Sequence, residues 1–330
     1  MLSLVGDGMR RRGFLGLLGG SVLHWSCEAY GQNQNRPFRV GFLRASPPSA
    51  REFDAFKRGL AEKGFAEGRD FVVVPGWAEG EAGQLPQLAA LLLGKNVHVV
   101  VTEGSVAVLA ARAVSPTMPI VFARVADPLP LVSSLARPGG NVTGFSSQGV
   151  DITGKMIEVL KELVPTMSRV ALIGPPVARS IFGETVADTA RALGLESTYI
   201  ELTNPDSPGD AIRQAISAGA SGSIWRGAPY FSSHQRRLAA VAAAEHKFPT
   251  VYDSRENVEQ GGLVSYAADG ADLFRRAGEY VAKILTGTNA GDLPVQQPTK
   301  FELVINAKAA KSLGINLPSR LLFTADEVIE

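Results

Sequence analysis

The chain has 330 residues, 45% hydrophobic and 20% charged, with 33 Lys plus Arg against 32 Asp plus Glu. That balance excludes a disordered or coiled-coil chain, and without net basicity or a Lys/Arg run no nucleic-acid partner is expected. A mean hydropathy of +0.07 is too low for a polytopic membrane protein, and a single cysteine leaves neither a disulfide framework nor a cysteine-based metal site.

The first segment reads as an address. Arg10-Arg11-Arg12-Gly13-Phe14-Leu15 precedes a short, glycine-diluted apolar run that ends at Leu23. Ala29-Tyr30-Gly31 supplies small residues for a signal peptidase. Arg11 and Arg12, followed by x-Phe14-Leu15, resemble the twin-arginine export motif, which carries folded proteins. Residues 1–31 are therefore expected to be a signal peptide, with translation starting at Met1 or Met9. Its removal takes away Cys27 and leaves equal numbers of basic and acidic residues. A neutral, cysteine-free exported chain fits the bacterial periplasm.

From Phe38 the sequence alternates β runs and helical patterns. Strands are expected at 38–43, 71–74, 97–101 and 118–123, with helices at 49–63, at 84–93 and from about Ser105. The run Val97-His98-Val99-Val100-Val101 is continuously apolar apart from His98, which reads as a core residue in a covered parallel strand. A fifth strand, Val142 to Phe145, closes a lobe over 36–148. After a helix from Asp151 to Leu163 the pattern restarts. Arg169-Val170-Ala171-Leu172-Ile173 mirrors Arg39-Val40-Gly41-Phe42-Leu43, and Phe248-Pro249-Thr250-Val251-Tyr252 mirrors Met118-Pro119-Ile120-Val121-Phe122. The reading is α/β: two doubly wound parallel-sheet lobes joined by a hinge. The second lobe covers 149–269, the segment 270–290 returns to the first, and the tail 291–330 packs on the second.

Several chemistries lack their residues. Gly149 to Met156 fits GxxxxGK, but Met156 stands where a P-loop needs Ser or Thr, and no first strand precedes it. No dinucleotide fingerprint and no G-x-S-x-G elbow occur. The four histidines have no metal-ligand spacing. Neither cofactor nor metal is expected. In an open parallel sheet, ligands bind beyond the carboxyl ends of the strands. The loops there contain Ser46, then Gly104 and Ser105 at a helix start, Asp127 and Pro128, Pro229, Tyr252 and Asp253, and Tyr266. They offer anion donors, a carboxylate and aromatic walls, without a base and nucleophile pair.

These segments carry a resemblance. Leu135-Ala136-Arg137-Pro138-Gly139-Gly140-Asn141-Val142-Thr143-Gly144, Val251-Tyr252-Asp253-Ser254-Arg255-Glu256, Gly261-Gly262-Leu263-Val264-Ser265-Tyr266 and Pro298-Thr299-Lys300-Phe301-Glu302 resemble the ABC-transporter substrate-binding proteins whose members include tryptophan/tyrosine-binding proteins. The resemblance implies a type I periplasmic-binding fold, a small-molecule ligand enclosed between the lobes by hinge closure, and delivery to a permease and ATPase in the membrane. It implies a protein that is not an enzyme; two lobes with a short hinge and no sustained exposed heptad pattern lead us to expect a monomer. It places Ser46, Gly104, Ser105, Asp127, Pro128, Tyr252 and Tyr266 along the cleft. Ser105 and nearby N–H groups would hold an acidic group, Asp127 would accept from an amine or hydroxyl, and the two tyrosines would stack or bond. A small-molecule ligand is expected, with an amino acid or a small carboxylate as candidates. One position departs from the family pattern: Ala228 stands where relatives often carry a carboxylate or amide. The alternatives are an exported two-lobed α/β enzyme and a binding protein that serves a membrane receptor.

Overall fold

In the computed structural model, residues 36–45 and 48–330 are described. Strands β1 (Phe38–Arg44), β2 (Phe71–Trp77), β3 (Val99–Glu103), β4 (Ile120–Val125) and β5 (Val142–Ser146) form a wholly parallel sheet in the order β2-β1-β3-β4-β5. Its crossover helices are α1 (Ala50–Ala61), α2 (Leu85–Gly94) and α3 (Gly104–Val114). The β3 run is buried on both faces, as a covered parallel strand requires. Helix α1 begins in a capping box, where Ser49 and Glu52 exchange side-chain and backbone bonds.

Helix α4 (Gly149–Leu163) leads into the second lobe. There β6 (Arg169–Gly174), α5 (Pro176–Ala192), β7 (Glu196–Glu201), α6 (Pro208–Ser217), β8 (Ser223–Trp225), α7 (Ser233–Glu245), β9 (Thr250–Tyr252), α8 (Arg255–Glu259) and β10 (Val264–Ala268) follow. The chain then returns through α9 (Gly270–Leu285) and ends in β11 (Phe301–Asn306), α10 (Ala307–Leu313), α11 (Ser319–Thr324) and β12 (Glu327–Ile329). The second sheet runs β12-β11-β10-β9-β8-β6-β7. It is parallel throughout except at one joint, where the tail strand β11 lies antiparallel to β10. The chain re-enters this sheet from the opposite end after its excursion through α9.

Helix α9 packs Leu273, Phe274, Ala277 and Val281 into the first-lobe core with Phe42, Phe56 and Val99. It lies close against α1: a Cβ on Gly59 would collide with the Arg275 carbonyl oxygen, and one on Gly278 with that of Phe56. The tail divides between the lobes, contrary to the expectation that all of 291–330 sits on the second. Leu293 and Val295 belong to first-lobe cores, and Gln296 bridges to Phe145. Leu303, Ile305 and Leu321 belong to the second-lobe core. The chain thus passes between the lobes after β5, after β10, and once more between Gln296 and Phe301.

Strand β3 begins two residues later than expected. His98 is not a core residue: it is exposed before the strand, and its Nδ1 accepts from the Arg39 N–H at 3.0 Å. The shift draws Thr102 and Glu103 out of the loop and into the buried strand. Among the described residues, no helix is long and apolar enough to cross a membrane.

Candidate functional site

The carboxyl ends of both sheets face one cavity, where the topology of open α/β sheets puts ligands. Its walls enclose about 50 Å³, whereas small-molecule pockets commonly measure about 300–1,000 Å³.

The first-lobe wall rests on a buried ion cluster. Arg44 ends β1, Glu52 sits in the first turn of α1, Glu103 ends β3, and Arg124 lies near the end of β4; none is more than 7% exposed. Arg44 Nη1 lies 3.3 Å from Glu52 Oε2, and Arg44 also pairs with Glu103. Arg124 Nη2 lies 2.9 Å from Glu52 Oε1 and 2.6 Å from Glu103 Oε1. Glu256 of the second lobe approaches Arg124 Nη1 at 3.6 Å, so the cluster spans the cleft. Burial alone would raise all three carboxyl groups. For Glu103 the charges of Arg124 and Arg44 outweigh it, and for Glu256 those of Arg124 and Arg236 do; both are held below the usual carboxylate range. For Glu52, burial wins over Arg124 and the carboxyl is raised. Arg124 adopts a left-handed backbone with φ 52°, where β4 loses register with β5. Such a conformation costs on the order of 1–3 kcal/mol and persists only where surrounding contacts impose it. Here three carboxylates do so.

The second-lobe wall is mostly apolar. Val177, Ala178, Ile181 and Phe182 project from the first turns of α5. The Arg226 guanidinium, immediately after β8, lies 3.9 Å from the centre of the Phe182 ring. Its Nη2 donates to the Gly149 carbonyl at 3.0 Å, and its Nε lies 3.9 Å from Asp253 Oδ2. Asp253 in turn accepts from the Gly227 N–H at 2.8 Å. Burial lowers the Arg226 pKa, and Asp253 opposes that shift only in part. Gly227 is required twice: its φ is 115°, and a Cβ there would lie 2.8 Å from Pro175 Cδ.

A short turn over Ala228–Tyr230 reaches across to the first lobe. Tyr230 lines the cavity with Gly104 and Ser105 of the first turn of α3, and burial raises its phenol pKa. A Cβ on Gly104 would lie 3.1 Å from Pro229 Cβ and 3.6 Å from the Tyr230 hydroxyl. With φ at 73°, Gly104 suits both the turn and the close approach.

Of the expected residues, Gly104, Ser105, Pro229 and Asp253 line the cavity. Ser105 is not the helix cap; Glu103 holds that position and makes no side-chain cap bond, because its carboxylate is committed to Arg44 and Arg124. Asp127 and Pro128 do not line the cavity. The kink at Arg124 brings Arg124 and Ala126 to the wall, while Asp127 Oδ1 accepts from the Leu129 N–H at 3.1 Å in a local turn, and Pro128 is buried. Tyr252 is not a cleft residue either: it is fully buried in the second-lobe core, its ring 6.3 Å from that of Trp225. Strand alternation explains this, since the next residue, Asp253, takes the cavity side. Tyr266 stacks on Phe301 at 6.1 Å, away from the cavity. Ser46, Arg11, Arg12 and the expected signal peptide lie outside the described residues. Sequence reasoning passed over Arg124, Phe182, Arg226 and Tyr230. The available signal was an arginine directly ending or following a buried β run, as in Ile120–Arg124 and Ser223–Arg226.

Two α/β lobes, three crossing segments and a cavity at the strand ends define a two-lobed solute-binding fold. Residues 46–329 match the family model described as ABC transporter substrate binding protein, and the chain belongs to that family. It is 23% identical over 316 residues to a tyrosine-binding protein of Clostridioides difficile (strain R20291), covering 91% of this chain and 90% of that one. Among solved structures, a conserved domain protein of Vibrio cholerae is 27% identical with a TM-score of 0.77, covering 89% of this chain and all of the other. An ABC domain from Streptococcus pneumonia, solved in complex with L-Trp, is 22% identical with a TM-score of 0.79 over the same shares.

Proposed function

We propose that the protein is the solute-binding component of an ABC importer, exported to the periplasm, and that it binds an aromatic amino acid as a monomer. The observation that carries this reading is the contrast within one cavity. The first turn of α3 presents Ser105 and backbone N–H groups suited to a carboxylate, and opposite it Ile181 and Phe182 of α5 present an apolar face for a side chain. Asp253 is placed to accept from an ammonium group. The relatives support the ligand class, since one is named for tyrosine and another was solved with L-Trp.

Ligand contacts both walls only when they meet, so binding shifts the population toward closure. Twin arginines Arg11 and Arg12 direct export, residues 1–31 are removed, and a permease and ATPase receive the solute. In this reading the protein does no chemistry on its solute, in keeping with a family described as substrate binding.

A thermal-shift screen of the mature protein tests the ligand class, because a ligand that binds only the folded state raises the melting temperature. L-tryptophan and L-tyrosine are expected to raise it by several degrees, and small aliphatic carboxylates less. No shift with any amino acid would overturn the reading.

A further inference from the structure

We infer that Arg226 is the residue that reads an aromatic ring on the solute: its guanidinium has its donors engaged by the protein and offers the ring a flat cationic face. The inference deepens the proposed function and rests on it for the ring, while the geometry of the guanidinium stands by itself.

Arg226 follows β8, is 3% exposed and lines the cavity. A guanidinium donates only in its own plane, and the edges of this one are committed. Nη1 donates to the Met156 sulfur at 3.1 Å and Nη2 to the Gly149 carbonyl at 3.0 Å, while Nε lies 3.9 Å from Asp253 Oδ2. Met156 is buried in the second-lobe core and is not among the cavity walls, so Nη1 points away from the cavity. One face is committed as well: Cζ lies 3.9 Å from the centre of the Phe182 ring, which stacks the two planes. With the edges and one face taken, the guanidinium presents its second face to the cavity. Gly149 leaves room beside it, since a Cβ there would lie 2.7 Å from Nη2.

That face suits one kind of group. A carboxylate pairs with a guanidinium edge to edge, and those edges are occupied. A hydroxyl or amide finds no donor on the face. The negative face of an aromatic ring is attracted to it, and the more so where water is excluded. Phe182 makes this pairing on the opposite side, so a bound ring would complete a sandwich around the cation. An aliphatic side chain of the same size fills the space without the electrostatic gain. Every support of the guanidinium belongs to the second lobe: Gly149 and Met156 on α4, Phe182 on α5 and Asp253 after β9. The walls enclose about 50 Å³, so a ring enters only when the first-lobe wall retreats. The platform survives that movement and needs no ordering when the solute arrives.

Ring fluorination tests the inference in the unaltered protein. Each fluorine withdraws electron density from the ring face and changes its outline little. Calorimetry of the mature protein with L-tryptophan and its mono-, di-, tri- and tetrafluorinated forms should show affinity falling at each step, about tenfold across the series. A flat series with L-tryptophan still bound would overturn the role of Arg226 and leave the ligand class standing. Arg226→Met keeps an unbranched apolar stem and removes the cation, and a circular-dichroism melt checks its folding. Its series should be flat; a slope as steep as that of wild type would place the ring contact on another residue and overturn the inference. Should Arg226→Met not fold, Arg226→Lys takes its place, because it keeps the charge and loses the planar face. A shallower slope is then expected, and an unchanged slope overturns the inference. If wild type binds no aromatic amino acid, the proposed ligand class fails, and the inference with it.

Discussion

The two walls of the cleft are built from the same topological positions, the loops after parallel strands, yet they solve opposite problems. The first-lobe wall buries Arg44, Glu52, Glu103 and Arg124 in one ion cluster. The second-lobe wall buries aliphatic and aromatic groups around one arginine over a ring. Buried ion pairs contribute little net stability compared with an apolar core of the same volume, but they penalise any arrangement that leaves a charge unpaired. The first wall is thus suited to fixing geometry, and its link to Glu256 makes that geometry sensitive to closure. The second wall is suited to shape selection, because apolar contacts are non-directional and tolerate changes of outline.

The sharpest way to break this comparison is Arg124→Ala. It removes one of the two arginine partners of Glu52 and Glu103 and the cross-cleft contact to Glu256, leaving buried carboxylates under-compensated. Breaking a buried pair from one side costs about 3–5 kcal/mol, so urea denaturation should show a loss in that range. A loss below about 1 kcal/mol would mean that water or rearrangement relieves the cluster, and the first wall would then resemble a solvated surface.

Phe182→Ala probes the other wall. Phe182 is buried and supports the Arg226 guanidinium. A Phe→Ala change in a core costs about 3–5 kcal/mol, and a site that borders a cavity should fall at the low end, about 3 kcal/mol. L-tryptophan affinity should fall with it, as measured by calorimetry. Unchanged affinity would show that the ligand side chain does not meet α5.

A smaller effect should appear in the pH dependence of Glu256→Gln. The folded-state pKa of Glu256 lies below its ordinary value, burial being outweighed by Arg124 and Arg236. Its contribution is therefore present above the ordinary carboxylate range and lost as pH falls toward the folded value. The stability difference between wild type and Glu256→Gln should shrink steadily below about pH 4.5. Glu52 has the opposite sign: its raised pKa makes its contribution complete below the ordinary value, and that contribution is lost as pH rises through the folded value. A difference that grows on acidification would assign the acid response to Glu52 and detach Glu256 from the cluster.

The amino-acid sequence by itself determined the elements whose signal is local. Val99-Val100-Val101 and Val170-Ala171-Leu172-Ile173 are apolar runs of strand length, Ser49 and Ser232 announce helix starts, and the repeated order of strand and helix dictated two similar lobes. Gly104, Ser105, Pro229 and Asp253 were legible as cleft residues because the carboxyl ends of parallel strands are where such sheets open. Only the tertiary structure decided which way individual side chains face. One step of strand alternation turned Tyr252 into core and Asp253 into wall. The left-handed backbone at Arg124 exchanged the expected Asp127 for an arginine. The cluster of Arg44, Glu52, Glu103, Arg124 and Glu256, like the close approach of Pro229 to Gly104, joins residues far apart in sequence. No local pattern encodes such pairings, because their energy comes from charges and hydrogen-bonding groups that meet only after both lobes have folded and approached.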